Sequence, residues 1–149
     1  MKKYIIFTLL AVMFITTGCG KKDDIVNVEL AQAFANSELF EENLEEINVS
    51  VAQTRYGLNK RDYIELTAYV GTKSNCDEFI IIKTSNSEDV KSKVNKYLGA
   101  KIKDYEIYRP DEVYKLTKPL ILDYNGTVVI VICHDINAAE KVYKEYLKG

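Results

Sequence analysis

The chain has no tryptophan, one histidine, two prolines, seven glycines and three cysteines among its 149 residues. Each shortage removes a class of protein. So few prolines and glycines do not make a fibrous, linker-rich or low-complexity chain. With Cys19 set apart at the end of the N-terminal apolar segment, one histidine and two cysteines, with no Cys-x-x-Cys spacing, cannot supply a tetrahedral zinc site or a dithiol redox motif. Neither sign of charge dominates: 20 Lys and Arg stand against 22 Asp and Glu, and the basic residues are scattered. That balance argues against nucleic acid as a partner. No apolar run reaches the roughly 20 residues that a permanent membrane-spanning helix needs.

What is present starts at the N-terminus. Lys2 and Lys3 precede an uncharged run from Tyr4 to Ile15, which gives way to Thr16-Thr17-Gly18-Cys19. A basic start, a short apolar middle and small residues before a cut are the three regions of an export signal. The cysteine placed directly after them makes the segment resemble a bacterial lipobox, which implies diacylglyceryl transfer to the Cys19 sulfur and cleavage before it. Gly18 and Thr17 fit that pattern, whereas Thr16 stands where leucine is usual. The expected organisation is therefore a signal over 1–18, a lipidated tether over 19–27 that includes Lys21-Lys22-Asp23-Asp24, and one domain over 28–149. Loss of Lys2 and Lys3 leaves a net charge of −4, so anionic lipid would not attract the mature chain. Its hold on the outer face of the membrane would come from lipid on Cys19, since two acyl chains anchor stably where one does not. Cys76 and Cys133 remain, and they read as free, partly buried thiols more readily than as a bridge.

Residues 28–149 read as an α+β domain. Leu30, Ala33, Phe34 and Ser37 recur at helical spacing, so a helix is expected from Val28 to about Phe40, with the acid-rich stretch Glu38–Glu46 extending it or adding a turn. Gly57 breaks the pattern, and a short helix is expected after it, capped by Asn59 with Asp62 at its positive end. Leu66–Val70 reads as a strand, and Phe79–Ile82, apolar at every position, reads as a central strand covered on both faces. Ser87 to about Tyr108 is the longest helix, capped by Ser87, with Val90, Val94, Leu98, Ile102 and Tyr105 as its buried stripe and Gly99 marking a kink or a close helix contact. Pro110 ends it, and Asp111–Leu116 adds a turn. Leu120–Leu122 and Thr127–Ile132 flank Asn125-Gly126, the signature of a hairpin with a type I′ turn. Asn137 is expected to cap a last helix with Ala138, Ala139, Val142, Tyr143, Tyr146 and Leu147 on its apolar side. Strand, polar turn and helix thus follow each other twice, which predicts an antiparallel sheet of about four strands built from two ββα units, with helices packed on it.

Gly57-Leu58, the apolar strand Phe79–Lys83, the long helix closing on Tyr108-Arg109-Pro110-Asp111-Glu112, and Gly126-Thr127-Val128-Val129-Ile130-Val131 running into Asp135 resemble the small bacterial lipoproteins grouped as domain of unknown function family 4358. The resemblance covers nearly all of the mature chain and includes the lipobox. It implies a Gram-positive type of lipoprotein on the outer face of the plasma membrane, and it brings no activity with it.

Several constellations suggest chemistry and are better explained without it. Cys133-His134-Asp135 lists a nucleophile, a base and an orienter in a row, but successive residues at a strand end point to opposite faces. Asp123, Asn125 and Gly126 lack the bidentate glutamate of a calcium loop and are accounted for by the turn. Glu65, Asp104, Glu106, Asp111 and Glu112 could include an acid–base pair only if one of them lay in a cleft with a perturbed pKa. Eleven tyrosines are the remaining anomaly. Tyr105, Tyr108, Arg109 and Tyr114 gather around the end of the long helix, and these residue types are enriched at contact surfaces. The sequence therefore points to a tethered binding or interaction module that meets an envelope protein or a small ligand, with no cofactor, no metal and no catalytic residue expected. The competing readings are an accessory envelope enzyme using carboxylates or the Cys76 and Cys133 thiols, and a small-ligand receptor.

Overall fold

The structure is a computed structural model that describes residues 25–72 and 74–149. The signal, the lipobox and Cys19 lie outside the described residues. No helix among the described residues is long and apolar enough to cross a membrane.

Eleven elements follow one another: α1 (Asn27–Ala35), β1 (Glu45–Ile47), α2 (Val49–Tyr56), β2 (Glu65–Val70), β3 (Glu78–Lys83), α3 (Ser87–Tyr108), a 3-10 turn (Pro110–Glu112), α4 (Val113–Thr117), β4 (Leu120–Tyr124), β5 (Thr127–Ile132) and α5 (Ile136–Lys148). The strands form one antiparallel sheet in the order β1-β2-β3-β5-β4. The fold is α+β, as expected, and the two hairpin-then-helix units are β2-β3-α3 and β4-β5-α5. The sheet has five strands, not four. β1 is the addition, a short charged strand whose Glu45–Ile47 pairs with Ala68–Val70.

β3 and β5 are central and buried along nearly their whole length. Period-two alternation divides their side chains between two cores. Ile80, Ile82, Val128, Ile130 and Ile132 pack with Ala52 and Tyr56 of α2, Val90, Val94 and Leu98 of α3, and Leu116 of α4. Phe79, Ile81, Val129 and Val131 pack on the other face with Leu30, Ala31 and Phe34 of α1 and Ala139, Tyr143, Tyr146 and Leu147 of α5. Burial of this kind stabilises by about 1.5–3 kcal/mol for each large apolar side chain.

Local chemistry corrects several expectations. The helix preceding Gly57 is real and the expected one after it is not: Gly57 closes α2 in the left-handed conformation, φ 66°. Asn59 caps nothing; its backbone N–H donates to the Asp62 carboxylate at 2.6 Å, so the acid organises the turn. α1 stops at Ala35, so Glu38–Glu46 does not extend it; the stretch gives the expected turn at Glu38-Leu39, then bends and β1. α3 runs over the expected residues, but Asn86 caps it, its side chain accepting from Asp89 N–H. Gly99 makes no close contact, because a β-carbon there would meet nothing within 4 Å. Asp135, not Asn137, caps α5, accepting from the N–H groups of Asn137 and Ala138. The Asn125-Gly126 turn is as expected, with φ 48° and 74°.

Candidate functional site

The polar residues of greatest structural consequence converge where the chain enters β3. Asn75, Cys76, Asp77 and Glu78 are all buried there, immediately before the apolar run of the central strand. Two acids in that position must find cations, because an unpaired buried charge costs several kcal/mol. Two lysines supply them from opposite sides. Lys101, on the buried stripe of α3 one turn after Leu98, places its ammonium 2.9 Å from Glu78 Oε2 and 3.1 Å from the Cys76 carbonyl. Lys115, from α4, lies 3.1 Å from Asp77 Oδ1, 3.1 Å from Glu112 Oε2 and 2.6 Å from Glu41 Oε1. The Lys115 side chain is 0 % exposed, as is that of Asp77. All three donors of its ammonium are thereby used.

Glu78 anchors a second layer. Its Oε2 also accepts from Arg55 Nη2 at 2.8 Å and from the Tyr97 hydroxyl at 3.0 Å. The Lys101 ammonium lies 5.7 Å from the centroid of the Tyr97 ring and 5.6 Å from that of Tyr105, within cation–π range. Burial first, then the Glu78 charge, push the Tyr97 phenol well above its ordinary pKa. Burial lowers the Arg55 guanidinium, but the Glu78 charge outweighs it, so Arg55 stays protonated. These groups line an open cleft of about 400 Å³ between α2, α3 and the 71–77 segment, with Arg55, Asn75, Tyr97, Lys101, Asp104 and Tyr105 among its walls. Its two cations, Arg55 and Lys101, share the one Glu78 carboxylate behind the wall, and Asp104 on the wall balances the remaining charge, so the cleft offers hydrogen bonds and aromatic faces more than net charge.

The donor atoms of Cys76, Asp77 and Glu112 lie within 4.8 Å of one another, close enough for a metal ion. The residues fit one poorly, because the Lys115 ammonium already bridges the two carboxylates. Burial, then the interaction with Glu112, push the Cys76 thiol up to about 12, so it stays protonated. Burial would raise the Glu112 carboxyl, but the Cys76 N–H and the Lys115 ammonium outweigh it and hold Glu112 below the ordinary carboxylate range. The ammonium is the cation of this cluster.

The four residues of the expected binding edge are placed unequally. Tyr105 is half-buried and its hydroxyl donates to the Asn75 carbonyl at 3.1 Å. Arg109 pairs with Asp111 at 2.9 Å and also donates to the Ser74 carbonyl. Both therefore fasten the 74–75 turn. Tyr108 and Tyr114 are 78 % and 53 % exposed, and Ile107, next to Tyr108 in α3, is 73 % exposed. Of the acids, Glu112 is buried and paired, Asp111 is held by Arg109, and Asp104 lies on the cleft wall.

The thiols sit on opposite faces of the sheet, Cys76 in the core under α3 and Cys133 in the core under α5, and both are free. Burial pushes Cys133 up to about 11. His134 is exposed, and the Asp135 carboxylate is occupied in capping α5, so the three consecutive residues do not form a relay.

Arg55, Asn75, Asp77, Glu78, Lys101 and Lys115 were not visible as a site in the sequence, since their partners lie far along the chain. One signal was available: two acids directly preceding an all-apolar central strand, with a lysine on the stripe of α3, require buried ion pairs.

The described part of the chain is thus an antiparallel sheet covered on both faces, with a charge-matched cleft at one end of its central strand. The chain belongs to the family described as Domain of unknown function (DUF4358), whose model matches residues 37–144. No curated protein and no solved structure is similar enough to count as a match.

Proposed function

We propose that the protein is a lipid-anchored extracytoplasmic module, held through Cys19, that works by binding an envelope protein or small ligand and not by catalysis. The observation that carries the binding reading is the exposure of Ile107 and Tyr108 at the end of α3 and of Tyr114 on α4. Exposed apolar and aromatic groups of this size mark contact surfaces. Tyr105 and Arg109 support the same edge from beneath by holding the turn at Ser74 and Asn75. The chemistry that an enzyme would use is committed elsewhere: both thiols are held protonated and the buried carboxylates are held in ion pairs. A small-ligand receptor is the second reading, favoured by the cleft lined by Tyr97, Tyr105 and Arg55.

The anchor rests on the Lys2-Lys3 start, the apolar run and Gly18-Cys19. The Cys19→Ser chain is expected to take up no labelled fatty acid and to leave the membrane fraction. Membrane association that persists without label would refute the anchor. For the edge, a photo-crosslinker at position 107 is expected to capture one partner in intact cells, and Tyr108→Ala with Tyr114→Ala to abolish that adduct. An adduct unchanged by both substitutions would refute it.

A further inference from the structure

The two free edges of the sheet are built differently. β1 is three residues long and carries Glu45 and Glu46, features that discourage edge pairing. β4, at the other edge, runs five residues as Leu-Ile-Leu-Asp-Tyr without bulge or internal proline. Its hairpin turn has two residues, so the closing pair Tyr124–Thr127 exchanges hydrogen bonds within the sheet and the pattern alternates from there. Leu122 and Leu120 then face β5 with their backbone groups, whereas Ile121 and Asp123 direct theirs outward from the edge.

Beside this edge lies a groove of about 470 Å³ between β4 and α5. Leu122, Tyr124, Tyr143 and Leu147 form its apolar part, and Glu140, Lys144 and Lys148 follow its α5 side at four-residue spacing. The Tyr143 hydroxyl is buried and has no hydrogen-bond partner among the described residues. Ile121 is 36 % exposed on the same strand.

We infer that β4 is a docking edge for a second copy of this chain, joined antiparallel about a two-fold axis at Leu122. In that register Ile121 of one copy trades backbone hydrogen bonds with Asp123 of the other, which satisfies the outward groups of both strands. On the groove side Leu122 meets its own equivalent and Leu120 meets Tyr124, so the apolar faces continue across the seam. A cross-strand pair of this kind contributes about 0.2–1 kcal/mol. Within each helix Glu140 already pairs with Lys144 at 2.8 Å, through one carboxylate oxygen. Helices that run antiparallel across the seam bring the Glu140 end of one α5 toward the Lys148 end of the other, so the second oxygen of each Glu140 meets a lysine of the other copy, twice over as a two-fold interface requires.

Leu122 sits at a non-hydrogen-bonded position of the seam, where facing α-carbons approach to about 4.5 Å. The full chain carrying Leu122→Cys, oxidised in whole cells, is therefore expected to give a disulfide-linked species of twice the chain mass. Lys103→Cys, exposed on α3, serves as the collision control and is expected to give none. Adding Ile121→Pro removes an outward N–H without touching the β4–β5 ladder and is expected to abolish the linked species. Native mass spectrometry of the unsubstituted chain supplies a reading that involves no new cysteine, with dimer expected and Ile121→Pro monomeric. Equal linkage from Lys103→Cys, an adduct of some other mass at position 122, or a strictly monomeric unsubstituted chain would each overturn the inference, the second of these in favour of a foreign strand.

Discussion

The ammonium of Lys115 and the carboxylate of Asp77 meet at 3.1 Å with both side chains entirely out of contact with solvent. The pair joins α4 to the start of the central strand across 38 residues of sequence. Breaking one half of such a pair leaves the other charge buried, which costs about 3–5 kcal/mol, although replacing the whole pair by apolar groups can be neutral. Lys115→Ala is accordingly expected to lose about that much in urea unfolding. Asp77→Asn added to Lys115→Ala is expected to recover part of it. Additive losses in the double variant would show that the two groups are not coupled.

Stability should respond to alkali through the buried thiols. Their folded pKa values, about 12 for Cys76 and about 11 for Cys133, lie above the unfolded value of about 8.5. A raised pKa means that the folded state holds its proton longer, so this contribution is complete below pH about 8.5 and declines as pH rises toward the folded values. The thermal midpoint is expected to fall between pH 8 and pH 10, and to fall less in Cys76→Ala than in the parent chain. Equal slopes would exclude the thiol as a source.

Glu112 behaves in the opposite direction. Its carboxyl is held below the ordinary range, so its contribution is present above the unfolded value of about 4.3 and is lost as pH falls through the folded one. Glu112→Gln is expected to flatten the acid limb of the stability curve. A limb of unchanged steepness would assign acid sensitivity elsewhere.

Two glycines should respond oppositely to alanine. Gly99 is exposed within α3 and its added methyl meets nothing, so Gly99→Ala is expected to stabilise by about 0.5–1 kcal/mol. Gly126 has φ 74°, and a methyl there would lie 2.9 Å from the Thr84 carbonyl oxygen. Gly126→Ala is expected to destabilise by about 1–3 kcal/mol. Chemical denaturation of both variants separates the cases.

Asp135→Ala should cost about 1 kcal/mol through loss of the α5 cap, while Asn137→Ala should cost little, since Asn137 contributes only its backbone N–H there. The same pair shows how far the sequence could be read. The α5 apolar side and the α3 span are legible because periodicity repeats over many residues. Caps are single choices among nearby polar residues: α3 uses Asn86 where Ser87 is equally able to cap, and α5 uses Asp135 in place of Asn137 two residues on. β1 was hidden because Glu-Glu-Ile has no strand pattern of its own and becomes a strand only by pairing with β2. Gly57 is legible as a break, but a left-handed glycine ends the helix before it, and α2, only eight residues long with β-branched Val49, Val51 and Thr54, has little helical signature of its own. At the candidate site, Lys101 and Lys115 looked like any other lysines, because what distinguishes them is the acids brought to them from Glu41, Asp77 and Glu78.

The sheet also acts as a partition between the two described sulfurs. Cys76 and Cys133 lie just beyond the same end of the β3–β5 ladder, where Glu78 stands opposite Ile132, but their side chains belong to different cores. A covalent 76–133 link found in the protein would therefore date from a moment when this end of the sheet had opened, and its rate of appearance would count those openings.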